Sequence, residues 1–239
     1  ATKDDFVHVS YGYGLFTGGL GIHNGAEMMG ATVIPASTGN TARQLTIMQD
    51  FHSSILCCTP SYALYIAETA RDLGIDCRDL KVRLGLFGSE GCSIEMRSKV
   101  EEAWNLFATD NYGMSELMGP GVSGECRYRC GMHFAEDHFL PEIINPQTGE
   151  VRQRGEEGEL VVTTLTKEGI PLLRYRTKDI TRIHYEQCEC GRTHARMDKP
   201  LGRSDDMLII RGVNVFPSQI ESVLLSCGNV DPHYMIIVD

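Results

Sequence analysis

Three short segments at or just after the ends of predicted strands carry glycine, aromatic, hydroxyl or carboxylate groups. They are Phe87-Gly-Ser-Glu90, Asn111-Tyr-Gly-Met-Ser-Glu116 and Tyr175-Arg-Thr-Lys-Asp179. A glycine lets the backbone approach a flat ring closely, and an aromatic side chain can stack on that ring. A hydroxyl can bond a phosphate oxygen, while carboxylates can bind Mg²⁺ or the hydroxyls of a ribose. Together the segments predict a nucleotide site, although each one alone also fits an ordinary solvated turn.

A second group of residues has the chemistry of a metal site. A C-x₃-C-x₂-H cluster begins at residue 126, and a C-x-C pair followed by a histidine begins at residue 188. Four thiolate and imidazole ligands from two such clusters suit tetrahedral zinc, and they leave no open position, so the metal would be structural. The alternative is a set of buried thiols that bind no metal. The predicted ligands are Cys126, His133, Cys188 and Cys190, with Cys130 and His194 as substitutes.

Charge and composition exclude several classes of protein. The 239 residues carry 22 Lys and Arg against 32 Asp and Glu, a formal net charge of −10. Such an acidic chain offers no basic surface, so nucleic acid is excluded as a partner. No apolar run reaches the roughly 20 residues that span a bilayer, and residues 1–20 lack the order of a signal peptide. The nine cysteines fit reduced thiols, so we expect a cytoplasmic protein with no membrane partner.

The elements that would position these residues alternate in the first half of the chain. Short apolar runs predict strands at residues 5–10, 31–35, 54–58 and 82–87. The stretches among them predict helices at residues 25–29, 41–51, 61–73 and 93–106. This alternation predicts an α/β fold, with a mostly parallel sheet and flanking helices.

From about residue 119 the pattern changes to glycine, proline and charged turns between strands. Strands are predicted at residues 158–164, 203–210, 214–217 and 234–239. We expect a β-rich, antiparallel subdomain here. The segment Gly202-Arg-Ser-Asp-Asp206 fits a hinge between domains or a simple hairpin. The predicted division is an α/β part at 1–118, a β-rich subdomain with the zinc site at 119–203, and a hinge with the start of a small domain at 204–239.

The order of these motifs resembles that of a known enzyme superfamily. The sequences at 112–116, 175–179 and 202–206, followed by Gly-Val-Asn-Val-Phe-Pro-Ser-Gln-Ile-Glu at 212–221, resemble the acyl-adenylate-forming ligases. Within that superfamily, the segments at 10–19 and 136–140 resemble the phenylacetate–CoA ligases. The resemblance covers essentially the whole chain. It implies the large α/β domain of these enzymes and the beginning of their small C-terminal domain.

The resemblance also implies an activity. In these ligases a carboxylate attacks the α-phosphate of ATP to give an acyl-AMP and pyrophosphate, and the thiol of CoA then displaces AMP. ATP, Mg²⁺, CoA and a small aryl acid are therefore expected, with phenylacetate as the first substrate to test. The alternatives are a ligase for another aromatic acid, or a zinc-stabilised nucleotide-binding module without turnover. A homodimer is left open.

The resemblance assigns a role to individual residues. Ser115 would contact phosphate and Glu116 would hold Mg²⁺, which makes them the predicted catalytic pair. Tyr11 and Phe16 fall in the aryl-binding segment, and Asp205 corresponds to the hinge at which the small domain rotates. In the nucleotide site, Tyr112 would stack on adenine, Asp179 would bind the ribose and Arg203 would reach ribose or phosphate. The complete set of predicted nucleotide-binding residues is Gly88, Ser89, Glu90, Asn111, Tyr112, Gly113, Asp179 and Arg203.

Two parts of the superfamily pattern are not present in this sequence. The glycine-rich loop that embraces the ATP phosphates would precede residue 1, and the lysine that stabilises the developing charge would follow residue 239. The resemblance therefore implies the middle of a longer enzyme. Residues 1–239 alone are expected to be inactive.

Overall fold

A computed structural model describes residues 1–206, 208–210, 213–227 and 235–237. These residues form two compact units: unit 1 is Ala1–Cys92 with Met96–Val122, and unit 2 is Ser93–Glu95 with Ser123–Asp239. Among the described residues, no helix is both long and apolar enough to cross a bilayer.

Unit 1 is built on parallel strands in the order β2-β1-β3-β4-β5. Parallel neighbours need crossover connections, which helices supply here. The strands are β1 (Phe6–Val9), β2 (Thr32–Ile34), β3 (Ile55–Cys58), β4 (Leu84–Gly88) and β5 (Phe107–Met114). The helices are α1 (Thr17–Met28), α2 (Thr41–Asp50), α3 (Pro60–Asp72) and α4 (Ile94–Trp104, whose first two residues belong to unit 2), with a 3-10 turn at Cys77–Asp79.

Two apolar clusters cover the two faces of this sheet. Leu56 and Cys58 pack with residues of α2, α3 and α4, including Trp104. Ile55 and Cys57 pack with β1 and with Ala26 of α1. Alternate residues of β3 therefore enter opposite cores, as the two-residue period of a strand requires. The predicted parallel sheet with flanking helices is confirmed.

Helix α1 is the main error of the sequence analysis in unit 1. The helix was predicted at residues 25–29, but it begins at Thr17. Its four glycines lower helix propensity and hide the pattern. Packing explains two of them: a Cβ on Gly19 would lie 2.6 Å from the carbonyl oxygen of Gly12, and one on Gly21 would lie 2.6 Å from the Pro120 ring.

Unit 2 is antiparallel, as predicted, with strand order β6-β7-β11-β10-β9-β8. Strand β12 pairs with β10, and β13 pairs with β14. The strands are β6 (Gly119–Glu125, whose first residues belong to unit 1), β7 (Met132–Phe134), β8 (Phe139–Ile144), β9 (Glu157–Thr164), β10 (Tyr175–His184), β11 (Arg196–Met197), β12 (Gly202–Arg203), β13 (Leu208–Ile210) and β14 (Val213–Val215). Helix α5 (Pro217–Ser226) follows.

Three predicted strands near the end of the chain need correction or fall outside the described residues. The strand predicted at 203–210 is wrong, because a turn at 204–206 separates β12 from β13. The strand predicted at 214–217 ends at Val215, and Pro217 opens α5, where a proline is well tolerated. Of the strand predicted at 234–239, residues 234, 238 and 239 lie outside the described residues, and 235–237 have no regular secondary structure.

Candidate active site and candidate metal centre

The segment Gly88–Glu90 is fixed at the end of β4. Gly88 pairs with Asn111 of β5, and a Cβ on Gly88 would lie 2.6 Å from the Asn111 carbonyl oxygen. Ser89 has a φ of 69°, in the left-handed region that residues other than glycine rarely adopt. The carboxylate of Glu90 accepts a hydrogen bond of 2.7 Å from the backbone N–H of Ser61 in the first turn of α3. A backbone this firmly held is suited to present polar groups to a flat ring.

The side chain of Tyr11 contacts the beginning of this segment. Its hydroxyl is 2.5 Å from the carbonyl oxygen of Cys58 and 3.2 Å from that of Gly88, and it donates to these strand ends. Its ring is 5.9 Å from the ring of Phe16, at an interplanar angle of 43°. Tyr11 is 5% exposed and Phe16 is 38% exposed. Burial raises the pKa of Tyr11, so the hydroxyl keeps its proton.

The second segment differs from its prediction, because Asn111, Tyr112 and Gly113 lie within β5 rather than after it. The side-chain oxygen of Asn111 accepts a hydrogen bond of 2.9 Å from the N–H of Gly121. Gly113 lies so close to the Gly119 carbonyl oxygen that a Cβ would clash with it. Packing at the β5–β6 turn therefore accounts for the glycine, while Tyr112 is partly exposed.

Ser115 lies in the turn between β5 and β6, next to the first residue of helix α1. Its hydroxyl is 3.1 Å from that of Thr17, the first residue of the helix. The N-terminal end of a helix carries partial positive charge and favours anions. Glu116 follows Ser115 in the turn between β5 and β6, and its side chain is exposed. Thr17 was missed from the sequence, because the helix start was placed eight residues too late; a threonine ahead of a Gly-Gly pair was the signal available.

The third segment lies in unit 2. Asp179 was predicted at a strand end but lies in the middle of β10, where the pairing register with β9 shifts between Arg176 and Ile180. Lys178 has a φ of 71° at this bulge. A β-bulge changes the direction of the side chains around it, which explains a polar residue inside a long strand. In the antiparallel pairing of β10 with β12, Asp179 lies opposite Arg203.

Arg203 and Asp205 form an ion pair. The guanidinium donates two hydrogen bonds of 2.9 Å to the Asp205 carboxylate. It also donates to the carbonyl oxygen of Thr177, at 3.3 Å. The Arg203 guanidinium holds the pKa of Asp205 below its ordinary value.

Each unit thus brings together its own share of the predicted residues. In unit 1, the loop 88–90 meets Asn111 and Tyr11, and Ser115 lies at the start of α1. In unit 2, Asp179 lies opposite Arg203 in the pairing of β10 with β12, and the side chain of Arg203 binds Asp205.

The four predicted metal ligands also lie together, all in unit 2. One ligand atom from each of Cys126, His133, Cys188 and Cys190 lies within 4.8 Å of all the others. At a tetrahedral zinc with bonds of about 2.3 Å to sulfur and about 2.0 Å to nitrogen, two sulfurs are about 3.8 Å apart and a sulfur and a nitrogen about 3.5 Å apart. The Sγ atoms of Cys126 and Cys188 are 3.7 Å apart, and Nε2 of His133 is 3.5 Å from Sγ of Cys190. The residues therefore fit zinc.

Short turns and strands hold this cluster. Cys126 follows β6, His133 is the central residue of β7, and Cys188 and Cys190 lie in the turn between β10 and β11. That turn is closed by a hydrogen bond of 2.8 Å from the N–H of Gly191 to the carbonyl oxygen of Cys188. Cys130, a predicted substitute, is exposed, with its sulfur 3.2 Å from that of Cys188.

Arg196 joins the two cysteine-bearing turns and was not found from the sequence. Its buried guanidinium donates to the carbonyl oxygens of Cys130 and, at 3.0 Å, Glu186. An arginine in a two-residue strand has no signal in the sequence.

Local electrostatics favour the metal-binding form of two of the predicted ligands, Cys190 and His133. The backbone N–H of Arg192 lowers the pKa of Cys190 to about 7. The backbone N–H of Cys190 also lowers the pKa of Cys188, but burial and hydrogen bonds with the neighbouring thiols outweigh it and raise that pKa to about 12. Burial lowers the pKa of His133, with Arg192 and Arg196 nearby. A thiolate and a neutral imidazole are the metal-binding forms of these side chains.

Comparisons with known protein families and sequences agree with the fold. The sequence model of the family described as AMP-binding enzyme matches residues 4–166, and that of the AMP-binding enzyme C-terminal domain matches residues 212–239. The phenylacetate-coenzyme A ligase of Thermus thermophilus is 53% identical over 97% of this chain and 52% of its own length. That of Escherichia coli is 51% identical over 98% of this chain and 54% of its own length. The chain spans about half the length of the curated relatives it matches.

A solved structure has the same fold. The 2-hydroxyisobutyryl-CoA ligase in its postadenylation state matches with a TM-score of 0.91 and 28% identity, over 98% of this chain and 51% of that one.

Proposed function

Because the chain belongs to the AMP-binding enzyme family, we propose that the protein in which it occurs activates an aryl carboxylic acid with ATP and transfers the acyl group to CoA. The observation that carries this proposal is the identity of about half of the residues to curated phenylacetate-coenzyme A ligases over almost the whole chain. We propose the cytoplasm, where ATP and CoA are available, as its location.

The reaction proceeds in two substitutions. A carboxylate oxygen of the acid attacks the α-phosphorus of ATP, and the bond to the β-phosphate breaks, which releases pyrophosphate and leaves acyl-AMP. The thiol of CoA then loses its proton and attacks the acyl carbon, and the carbon–oxygen bond to AMP breaks. The products are acyl-CoA, AMP and pyrophosphate.

Residues of unit 1 serve the adenine and phosphate parts of this nucleotide in the proposal. The held loop Gly88–Glu90 borders the base, and the ring of Tyr112 stacks on it. The hydroxyls of Ser115 and Thr17 contact a phosphate oxygen at the start of α1, where the helix dipole favours the negative charge. Mg²⁺, held by Glu116, would offset the charge of the phosphates when bound.

Residues of unit 2 serve the ribose. The carboxylate of Asp179 accepts hydrogen bonds from the ribose hydroxyls, which positions the α-phosphate through the sugar. Arg203 reaches the ribose or a phosphate, and its bond to Asp205 links this contact to the proposed hinge.

The aryl ring of the acid is proposed to lie against Tyr11 and Phe16. Aromatic rings bury each other favourably, and Phe16 leaves 38% of its surface available for such a contact. Phenylacetate is the substrate proposed first, since the curated relatives at 53% and 51% identity are phenylacetate-coenzyme A ligases.

Acid-dependent exchange of labelled pyrophosphate into ATP tests the activity. The complete protein is assayed with phenylacetate, benzoate, an indole acid and an aliphatic acid. We expect exchange with phenylacetate to exceed that with the aliphatic acid by at least about tenfold, a difference of about 1.4 kcal/mol. No exchange with any acid would contradict the proposed function, and exchange with another aromatic acid alone would correct the substrate.

We propose further that Cys126, His133, Cys188 and Cys190 hold a structural zinc ion. The fit of the two measured ligand separations to tetrahedral zinc supports this, as does the three-sulfur, one-nitrogen donor set. Metal analysis of the complete protein, purified without chelator, is expected to give about one zinc per chain. Protein that contains no metal when prepared in this way would leave the four residues as ordinary side chains.

A further inference from the structure

We propose that Tyr11 is a positioning residue for the nucleotide as well as a wall of the acid pocket. Its hydroxyl fixes the loop Gly88–Glu90, and its ring faces Phe16. This inference rests on the proposed function, because it assigns the loop to the adenine.

The hydroxyl of Tyr11 connects two strand ends. Its single proton is shared between two backbone carbonyl oxygens, at 2.5 Å from Cys58 and 3.2 Å from Gly88, the first residue of the loop. One buried group therefore joins the end of β3 to the end of β4.

The loop needs such a contact, because Ser89 is held in an unfavourable conformation. A φ of 69° costs about 1 kcal/mol or more for a residue other than glycine, and it persists only where the surroundings fix it. The surroundings here are the Tyr11 hydroxyl, the bond from Ser61 to Glu90, and the close contact between Gly88 and Asn111. Tyr11 is the side chain among these that also belongs to the proposed acid pocket.

The two roles belong to different atoms of Tyr11 and can be separated. Phenylalanine at position 11 keeps the ring beside Phe16 but removes the hydroxyl. Loss of the hydroxyl frees the loop without changing the aromatic surface that the acid would meet. The variant is therefore expected to raise the KM for ATP and to leave the KM for the acid nearly unchanged.

The test is steady-state kinetics of the complete protein with the variants Tyr11→Phe and Phe16→Leu. For Tyr11→Phe we expect the KM for ATP to rise about five- to tenfold, the effect of one hydrogen bond, while the KM for the acid changes less than about twofold. For Phe16→Leu we expect the reverse. Tyr65→Phe is the control, since Tyr65 lies half exposed on α3 and its ring stacks on that of Tyr62, outside the proposed pocket; both KM values should stay unchanged.

Other outcomes would overturn the inference. An unchanged KM for ATP in Tyr11→Phe, or an equal rise for ATP and acid, would show that the hydroxyl does not position the nucleotide. Thermal unfolding checks that the variant is folded; if it is not, 4-fluorophenylalanine at position 11 fills the space of the hydroxyl without donating. Wild-type protein without acid-dependent pyrophosphate exchange would contradict the proposed function instead, so the two failures are distinguishable.

Discussion

The cysteines of unit 1 and unit 2 differ in what surrounds them. Cys57 and Cys58 lie inside β3, fully buried in two apolar cores, and burial raises the pKa of Cys57 to about 12. Cys188 and Cys190 lie in one turn, where the N–H of Arg192 lowers the pKa of Cys190 to about 7, whereas burial and the neighbouring thiols keep the pKa of Cys188 raised, at about 12. The surroundings thus separate the two groups of thiols by geometry. The strand interior makes Cys57 and Cys58 apolar side chains, whereas the turn brings Cys188 and Cys190 within 4.8 Å of Cys126 and His133, as the proposed metal site requires.

The same difference extends to what stabilises each region. The loop at the end of β4 rests on a parallel sheet with apolar residues packed on both faces. The cysteine cluster joins turns between short antiparallel strands, with Arg196 as its other connection. We therefore expect a metal to dominate the local stability of the cluster, and apolar packing to dominate that of unit 1.

The largest effect is expected from Cys188→Ser, which removes a ligand from the centre of the proposed zinc site. Zinc should be lost, and the strands β7, β10 and β11 should lose about 5 kcal/mol of protection, because structural zinc contributes directly to folding. Hydrogen exchange followed by mass spectrometry measures this strand by strand. Strands β1 to β4 should keep their protection.

Two matched substitutions control this experiment. Cys130→Ser changes an exposed neighbouring thiol, and Cys227→Ser changes an exposed thiol directly after α5. Both proteins should keep about one zinc. Loss of zinc in Cys130→Ser, with retention in Cys126→Ser, would move the ligand role to Cys130.

The converse substitution is Leu56→Ala, in the core of unit 1. Leu56 of β3 is fully buried against helices α2, α3 and α4. Replacing a leucine in such a core by alanine lowers the free energy of unfolding by about 3 kcal/mol. Hydrogen exchange should weaken in β3 and β4 while the zinc content stays the same. Loss of zinc in this variant would break the comparison, since it would show that the cluster depends on the unit 1 core.

A smaller effect is expected from Asp179→Ala in the complete protein. Loss of the ribose contacts should lower kcat/KM for ATP about a hundredfold, because misplacement of the sugar moves the α-phosphate. Pyrophosphate exchange measures it, and Asp72→Ala, which removes an exposed carboxylate at the end of α3, is the control. Undiminished exchange in Asp179→Ala would remove this residue from the nucleotide site.

The smallest effect on adenylation is expected from Asp205→Pro, which fixes φ at the proposed hinge. Adenylation should fall less than about threefold, whereas transfer to CoA should fall at least about tenfold. The two half-reactions are measured separately, by pyrophosphate exchange and by thioester formation. Equal losses would indicate a structural role for Asp205.

Strong patterns predicted most of the fold. The apolar runs of β3 and β4 and the amphipathic pattern of α3 placed these elements within two residues of their observed bounds. Helix α1 was misplaced, because Gly19 and Gly21 are explained by contacts with Gly12 and Pro120 that are distant in sequence. Helix propensity describes only local preferences, so it cannot predict tertiary packing of this kind.

The candidate sites were predictable to the extent that their residues form motifs. Spacing led to the four predicted cysteine and histidine ligands, which the structure brings together in a geometry that fits zinc. Spacing did not lead to Arg196, or to the bond between the Tyr11 hydroxyl and Gly88, which joins residues 77 positions apart. Such contacts depend on which strands become neighbours, and that is a property of the sheet.

Isotope transfer from the acid distinguishes an acyl-AMP intermediate from other routes to the thioester. The complete protein is given ATP, CoA and phenylacetate labelled with ¹⁸O in its carboxylate, and the products are analysed by mass spectrometry. If the carboxylate attacks the α-phosphate and CoA then displaces AMP, one ¹⁸O atom appears in AMP and none in pyrophosphate. Thioester formation with unlabelled AMP, or with the label in inorganic phosphate beside ADP, would contradict an acyl-AMP intermediate.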